Sequence, residues 1–146
     1  MTASLGGRLG LVVILCWGVM ACASIHDKAV TGTWSWSGQD YAGGQLRLDQ
    51  QGDDVIFRLE AFRGGPSYNS GLMEGRFTLK DQQGVYEMED YGKCRVTFRF
   101  KDEVVLVEQQ GTSAACGLGM GVYTDGRYRR QSATAPDFDD ERWVPQ

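Results

Sequence analysis

Strict alternation of apolar and polar side chains is the feature that most constrains how this chain folds. In residues 94–100 (CRVTFRF), every second residue is apolar, and Arg95, Thr97 and Arg99 separate them. A period of two places successive side chains on opposite faces of a β-strand, one buried and one exposed to water. The same pattern predicts strands at 31–37, 44–50, 54–62, 72–80, 85–89, 94–100, 103–109 and 126–130. No segment carries a long apolar stripe at helical spacing, so we predict no helix.

These short segments, joined mostly by hairpin-length turns within residues 31–130, predict an all-β antiparallel meander. An open meander leaves unpaired edge strands, and closure into a barrel removes them. We therefore predict a small eight-stranded barrel in which the first strand pairs with the last. A two-sheet β-sandwich is the open alternative. The residues predicted to face and fill the barrel interior are Phe57, Met73, Phe77, Tyr86, Met88, Phe98 and Phe100.

The N-terminus has the layout of an export signal. Arg8 precedes an apolar run that ends near Ala21, and this run is shorter than the roughly 20 residues that a membrane-spanning helix needs. The sequence Val-Met-Ala-Cys that ends at Cys22 resembles the bacterial lipobox, in which the cysteine is lipidated. We therefore predict a signal peptide at 1–21, lipidation of Cys22 and a tether at 22–30. The alternative is ordinary cleavage after Ala23, which would leave an unanchored chain starting at Ser24.

The lipobox resemblance also implies a location in the cell. Ala23 follows the cysteine, where an aspartate would commonly mark retention in the inner membrane. The resemblance therefore implies a lipoprotein on the periplasmic face of the outer membrane in a bacterial cell envelope. Under the alternative cleavage, the protein would be soluble in the periplasm or secreted.

The charge balance narrows the class of partner. The chain has a formal net charge of -4 at pH 7, and residues 131–146 form an acidic tail that we predict to be disordered. Nucleic acid is a poor partner because its phosphates require clustered lysine and arginine. A basic protein is a better partner because opposite charges steer encounter. Modest acidity also simply keeps a protein soluble, and the sequence leaves that explanation open.

Two cysteines remain for the folded domain. Cys16 lies in the signal and Cys22 is the predicted lipidation site, which leaves Cys94 and Cys116. Exported domains usually oxidise such a pair, so we predict a disulfide between them. A catalytic or metal-binding thiol pair is the alternative, and it lacks partners because the only histidine, His26, precedes the barrel.

No residue pattern for catalysis, metal binding or a cofactor emerges, and we predict a protein that is not an enzyme. A serine or cysteine triad would need a histidine within the domain. The alternating glycines of 117–121 open no helix, so they do not form a dinucleotide-binding fingerprint. Glu87 and Glu89 share one strand face and could act as an acid–base pair on a glycan. A solvated strand face explains these two carboxylates more simply.

Two family resemblances bear on function. Gly32-Thr33-Trp34 resembles the G-x-W opening of lipocalins, which implies an eight-stranded barrel with an apolar cavity. The C-terminal third is similar to a module of small exported Gram-negative proteins, some of them lysozyme-inhibitor-like. The segments that carry this second resemblance are 94–100, 115–119 and 126–128. It implies a disulfide-pinned β-domain that binds and blocks a cell-wall hydrolase. The Ser-Gly-x-x-Tyr signature of membrane-bound c-type lysozyme inhibitors is absent, since Glu74 stands where its tyrosine belongs, so no inhibitory residue is carried over.

Two turn-rich segments interrupt the alternation, at 63–71 and 111–125. Long ordered loops on rigid barrels often carry function. We therefore predict an envelope binding protein that inhibits a cell-wall hydrolase, either a lysozyme or a wall-degrading toxin. The alternatives are a lipocalin-like carrier of a small apolar ligand and a structural envelope lipoprotein. The residues predicted to contact the protein partner are Tyr68, Cys116, Gly117, Gly119 and Tyr123.

Overall fold

The structure, a computed structural model, describes residues 29–139. The predicted signal peptide, Cys22, most of the tether and the end of the acidic tail lie outside this range. The described chain forms eight β-strands and no helix, as the alternation predicts. The strands are β1 (Gly32–Ser37), β2 (Gly43–Gln51), β3 (Asp54–Phe62), β4 (Ser70–Thr78), β5 (Gln83–Met88), β6 (Cys94–Lys101), β7 (Val104–Gln110) and β8 (Gly126–Ser132). The last strand includes Gln131 and Ser132, two residues that the sequence analysis assigned to the tail.

All eight strands belong to one antiparallel sheet that is nearly closed into a barrel. Their order is β4-β3-β2-β1-β8-β7-β6-β5, so each strand pairs with its sequence neighbours except at β4 and β5. The predicted pairing of the first strand with the last is confirmed, with Ser35 opposite Arg129. The barrel is therefore the correct architecture and the two-sheet sandwich is not.

The seam between β4 and β5 is held by side-chain packing. In the described residues, the only backbone bridge across it joins Lys80 and Gln83 at the turn. Farther along, a Cβ on Gly75 would lie 2.4 Å from the ring of Tyr86, and a Cβ on Gly84 would lie 2.1 Å from the ring of Phe77. Each strand thus offers a glycine to an aromatic ring of the other, and the rings fill the space along the seam.

Aromatic rings also fill the barrel interior. The ring centroids of Phe77 and Phe98 are 4.7 Å apart, those of Phe57 and Tyr86 are 5.0 Å apart, and those of Phe57 and Phe98 are 5.2 Å apart. Burial of each such phenylalanine contributes about 1.5–3 kcal/mol relative to exposure. The predicted inward residues all belong to this core, with Tyr86 and Met88 at its partly buried margin.

The end of the barrel where the chain enters and leaves is closed by its own residues, and we call it the terminal end. The Trp34 indole Nε1 donates a hydrogen bond to the carbonyl oxygen of Val30 at 3.1 Å. The guanidinium of Arg130 lies 4.4 Å from the Trp34 ring centroid and donates to the carbonyl oxygen of Ala29. These contacts anchor the start of the domain across the terminal end. Within residues 29–139, no helix has the length and apolarity of a membrane span.

Candidate functional site

The two ends of the barrel differ in the length of their connections. The short turns lie at the terminal end and comprise 52–53, 79–82 and 102–103. The longer connections lie at the opposite end and comprise 38–42, 63–69, 89–93 and 111–125. We call this opposite end the loop end. An antiparallel meander sends alternate connections to opposite ends, so the two irregular segments singled out in the sequence necessarily meet there.

Exposed aromatic side chains concentrate at the loop end. All four loops contribute at least one large apolar side chain to the surface. The exposed fractions are 85% for Tyr41, 65% for Tyr68, 73% for Tyr91, 80% for Met120 and 50% for Tyr123. Tyrosine is enriched at protein interfaces because it combines a large apolar ring with a hydroxyl that bonds well in a wet rim. The loop end is therefore the candidate functional site.

Hydrogen bonds and a disulfide tie these loops to one another. The amide N–H of Gly65 donates to the carbonyl oxygen of Asp40 at 2.9 Å, which joins loop 63–69 to loop 38–42. The Asn69 side-chain amide donates to the carbonyl oxygen of Met120 at 2.8 Å. The predicted disulfide between Cys94 and Cys116 is present and joins loop 111–125 to the start of β6. The loops consequently form one connected cap.

Loop 111–125 is packed as tightly as a core element. Its residues Leu118, Val122 and Thr124 are buried. The backbone N–H and the hydroxyl of Thr124 both bond to the side-chain oxygen of Gln109. The hydroxyl of Tyr128 donates to the carbonyl oxygen of Thr124 at 2.9 Å. Burial raises the pKa of Tyr128, so this donor stays protonated.

The residues predicted to contact a partner take different positions in this cap. Tyr68 and Tyr123 are exposed, on loops 63–69 and 111–125. Cys116 is buried in the disulfide. Gly117 is exposed and lies under the ring of Tyr91, at a φ of +67° that favours glycine. A Cβ on Gly119 would lie 2.4 Å from the carbonyl oxygen of Ser70, so this glycine lets the loop reach across the seam to β4.

An open groove lies between loops 38–42 and 63–69. Its volume is about 1040 Å³, and its walls include Trp36, Asp40, Tyr41 and Tyr68. The rings of Tyr41 and Tyr68 are in contact, with centroids 6.4 Å apart and planes inclined at 53°. The groove thus has two adjoining aromatic walls at the rim of the barrel.

Three residues of this groove have left-handed backbone conformations. The φ angles are 53° for Asp40, 64° for Tyr41 and 50° for Tyr68. Bulky residues rarely adopt positive φ, and such strain persists where surrounding structure fixes it, often at binding sites. Here the backbone bonds from Gly65 to Asp40 and from Tyr68 to Gly64 provide that support.

The loop end carries more negative than positive charge. The charged residues of the four loops are Asp40, Arg63, Glu89, Asp90, Lys93 and Asp125, a net charge of -2. An acidic surface steers basic partners toward it and disfavours anionic ones.

Several glutamates elsewhere on the described barrel lie beside arginines. Glu87 forms an ion pair with Arg95 at 3.1 Å on the outer wall, where both side chains are about half exposed. Burial raises the pKa of Glu60 on the outer face of β3, and nearby Arg47 and Arg58 oppose the shift. Within residues 29–139, no group of three or more metal-ligating side chains is close enough to hold an ion.

Sequence reasoning missed three of the exposed side chains and the groove. Tyr41, Tyr91 and Met120 were not among the predicted contacts. A signal was present in each case, since Tyr91 and Met120 adjoin a glycine and Tyr41 lies between Gly38 and Gly43 in a turn-rich connection. An apolar residue in a turn whose side chain is not needed for packing within the protein is a candidate for contact with another molecule.

Comparisons with known proteins found no similar protein. The chain matches no known protein family, no characterised protein and no solved structure.

Proposed function

We propose that this chain is an envelope lipoprotein, lipidated at Cys22, that acts as a non-enzymatic binding protein and inhibits a cell-wall hydrolase. The hydrolase is either a lysozyme or a wall-degrading toxin. One observation carries the proposal: four tyrosines and a methionine are exposed on a loop cap that a disulfide and inter-loop hydrogen bonds hold in place. The remaining support comes from the site chemistry and from the sequence.

A cross-linked cap suits an inhibitor that enters a cleft. Binding loses affinity when it must order flexible loops, and a cap fixed in advance avoids that cost. Tyrosines dominate the energetic hot spots of protein interfaces. The sequence-based anchors, Tyr68 and Tyr123, lie on two different loops of the cap, so together they would span the contact surface.

The available side chains favour binding over catalysis. His26, the only histidine, precedes the barrel, so no imidazole base belongs to the loop end. Cys94 and Cys116 are oxidised to a disulfide, so neither supplies a thiolate. A serine or cysteine nucleophile activated by an imidazole base would lack that base among residues 29–139.

A soluble hydrolase fits the acidic cap better than an apolar ligand fits the interior. The acidic chain and the resemblance of its C-terminal third to lysozyme-inhibitor-like proteins point toward a basic wall hydrolase. The rings of Phe57, Phe77 and Phe98 occupy the space that a lipocalin-like carrier reserves for its ligand. The carrier function therefore has less support than binding at the rim.

The test is a lysis assay in which purified residues 24–146 are added to a c-type lysozyme acting on peptidoglycan. We expect dose-dependent inhibition that persists at physiological salt, where bare charge attraction is screened. Replacing Tyr68 and Tyr123 together by alanine should weaken inhibition at least about tenfold, since hot-spot truncations cost more than 1 kcal/mol each. Leu106→Ala is the matched control because Leu106 is an exposed apolar residue on β7, away from the loops.

Inhibition that appears only at low salt would reject a specific lysozyme complex. The same assay with a wall-degrading toxin then tests the other named hydrolase. If the double tyrosine variant inhibits as well as the Leu106→Ala control, these two residues are not the anchors.

A further inference from the structure

We propose that the groove between loops 38–42 and 63–69 receives a cationic side chain, lysine or arginine, of the protein that the loop end binds. The existence of a protein partner rests on the proposed function. The chemistry of the groove rests on its own walls, which the following observations describe.

Aromatic rings, one carboxylate and the uncharged polar side chains of Ser35, Ser37 and Gln45 line the groove. Trp36, Tyr41, Phe62 and Tyr68 line it, and Asp40 carries the only formal charge among its lining residues. The face of an aromatic ring is electronegative and attracts a cation within about 6 Å of its centroid. A cation seated in the groove beside Tyr41 and Tyr68 would therefore lie near two aromatic rings, since their centroids are 6.4 Å apart and their planes are inclined at 53°.

The walls are fixed before binding. Asp40 and Tyr41 occupy a turn that is closed by hydrogen bonds from Gly38 to Ala42 and from Ala42 to Gln39, at 2.8 and 2.9 Å. On the other side of the groove, the N–H of Tyr68 donates to the carbonyl oxygen of Gly64 at 2.8 Å. These bonds hold the backbone of both walls in place, so little backbone ordering is needed to seat a ligand.

The chain's own cations do not occupy the groove lining. Arg127 and Arg129 line a smaller neighbouring cleft of about 360 Å³, which shares Ser35, Trp36 and Ser37 with the groove. A lysine or arginine that enters the groove therefore meets Asp40 without a guanidinium of this chain among the lining residues. An anionic ligand would meet Asp40 as a like charge, which opposes its binding.

The test is an NMR titration of the ¹⁵N-labelled, exported protein as purified. The probes are N-acetyl-lysine amide, N-acetyl-arginine amide, the uncharged N-acetyl-norleucine amide and the tetrasaccharide of N-acetylglucosamine. We expect the two cationic probes to shift the Trp36 indole resonance and the amides of Asp40 and Tyr68 with saturation. The norleucine probe should bind at least about fivefold more weakly, as expected for loss of a cation–π contact.

Variants separate the roles of ring and charge. Tyr41→Leu with Tyr68→Leu removes the aromatic faces and should weaken binding of the lysine probe at least about fivefold, whereas the double phenylalanine variant should retain it. Asp40→Asn should also weaken binding, and asparagine tolerates the positive φ at this position. Leu106→Ala, on β7 and outside the groove lining, is the control and should leave binding of the lysine probe unchanged.

Three outcomes would overturn the inference: equal binding of the norleucine probe, preference for the tetrasaccharide, or no binding of either cationic probe. The lysis assay distinguishes this inference from the proposed function. Inhibition of a hydrolase without binding of lysine or arginine would leave the proposed function and reject the cation groove. Binding of the cationic probes without inhibition would keep the groove and reject the hydrolase as partner.

Discussion

Reduction of the Cys94–Cys116 disulfide should destabilise the barrel by about 3 kcal/mol. The bond closes a loop with a sequence separation of 22 residues. In the chain-entropy model, a loop of that size restricts the unfolded chain by about 3 kcal/mol at 25 °C. A domain of this size typically has about 5–15 kcal/mol of stability, so the reduced protein should still fold. Buried Leu118 and Val122 would continue to hold loop 111–125 against the barrel.

The measurement is guanidinium unfolding of oxidised and reduced protein, followed by the fluorescence of Trp34 and Trp36, which pack in or against the core. We expect the reduced protein to unfold at a lower guanidinium concentration than the oxidised protein. Its free energy of unfolding should be lower by about 3 kcal/mol. The Cys94→Ala, Cys116→Ala double variant is the control, since reductant should leave its midpoint unchanged. A loss below about 1 kcal/mol in the wild type would refute the reasoning, because loop 111–125 would then not depend on its covalent pin.

Three further predictions concern packing and pH. Gly84→Ala should lower the free energy of unfolding by about 1–3 kcal/mol in denaturant unfolding, because its Cβ would overlap the Phe77 ring at 2.1 Å. Gly52→Ala is the comparison for backbone strain alone, because no atom lies within 4 Å of a Cβ at that position. Gly119→Ala should lower thermal stability by a similar amount, about 1–3 kcal/mol, since its Cβ would meet a backbone oxygen of β4 at 2.4 Å; an unchanged melting temperature would show that the loop can shift. Burial raises the pKa of Glu60 above its ordinary value of 4.5, so its contribution to stability is present below pH 4.5 and is lost as pH rises through the folded-state pKa. The melting temperature of Glu60→Gln should therefore rise relative to that of the wild type as the pH increases from 4 to 7. A constant difference between the two melting temperatures across that range would contradict this.

The strands of the barrel were predicted well from the sequence, because the alternation of apolar and polar residues along a strand is a local property. In residues 54–62 the alternation marks both ends of β3, and the other strands begin and end within two residues of the predicted positions. Closure between β1 and β8 followed from the need to pair edge strands. The disulfide followed from counting cysteines in a chain that we predict to be exported.

The seam between β4 and β5 and the groove between loops 38–42 and 63–69 could not be predicted from the sequence in the same way. The seam depends on Gly75 and Gly84, whose packing against Tyr86 and Phe77 is a long-range contact. The groove depends on Tyr41 and Tyr68, which are 27 positions apart in sequence and meet only because the meander returns to the loop end. Positive φ at these tyrosines is set by the loop contacts around them, and a tyrosine carries no sequence preference for it.

The position of the predicted lipid relative to the loops gives the proposed function a geometric basis. The described chain starts at Ala29, whose carbonyl oxygen bonds to Arg130 at the terminal end. Ala29 is seven positions after Cys22, so the tether spans at most about 25 Å. A nine-residue strand such as β3 extends about 30 Å, which separates the terminal end from the loop end. A lipid at Cys22 would therefore lie within about 25 Å of Ala29 at the terminal end, and the tyrosine-rich cap lies at the opposite end of the barrel.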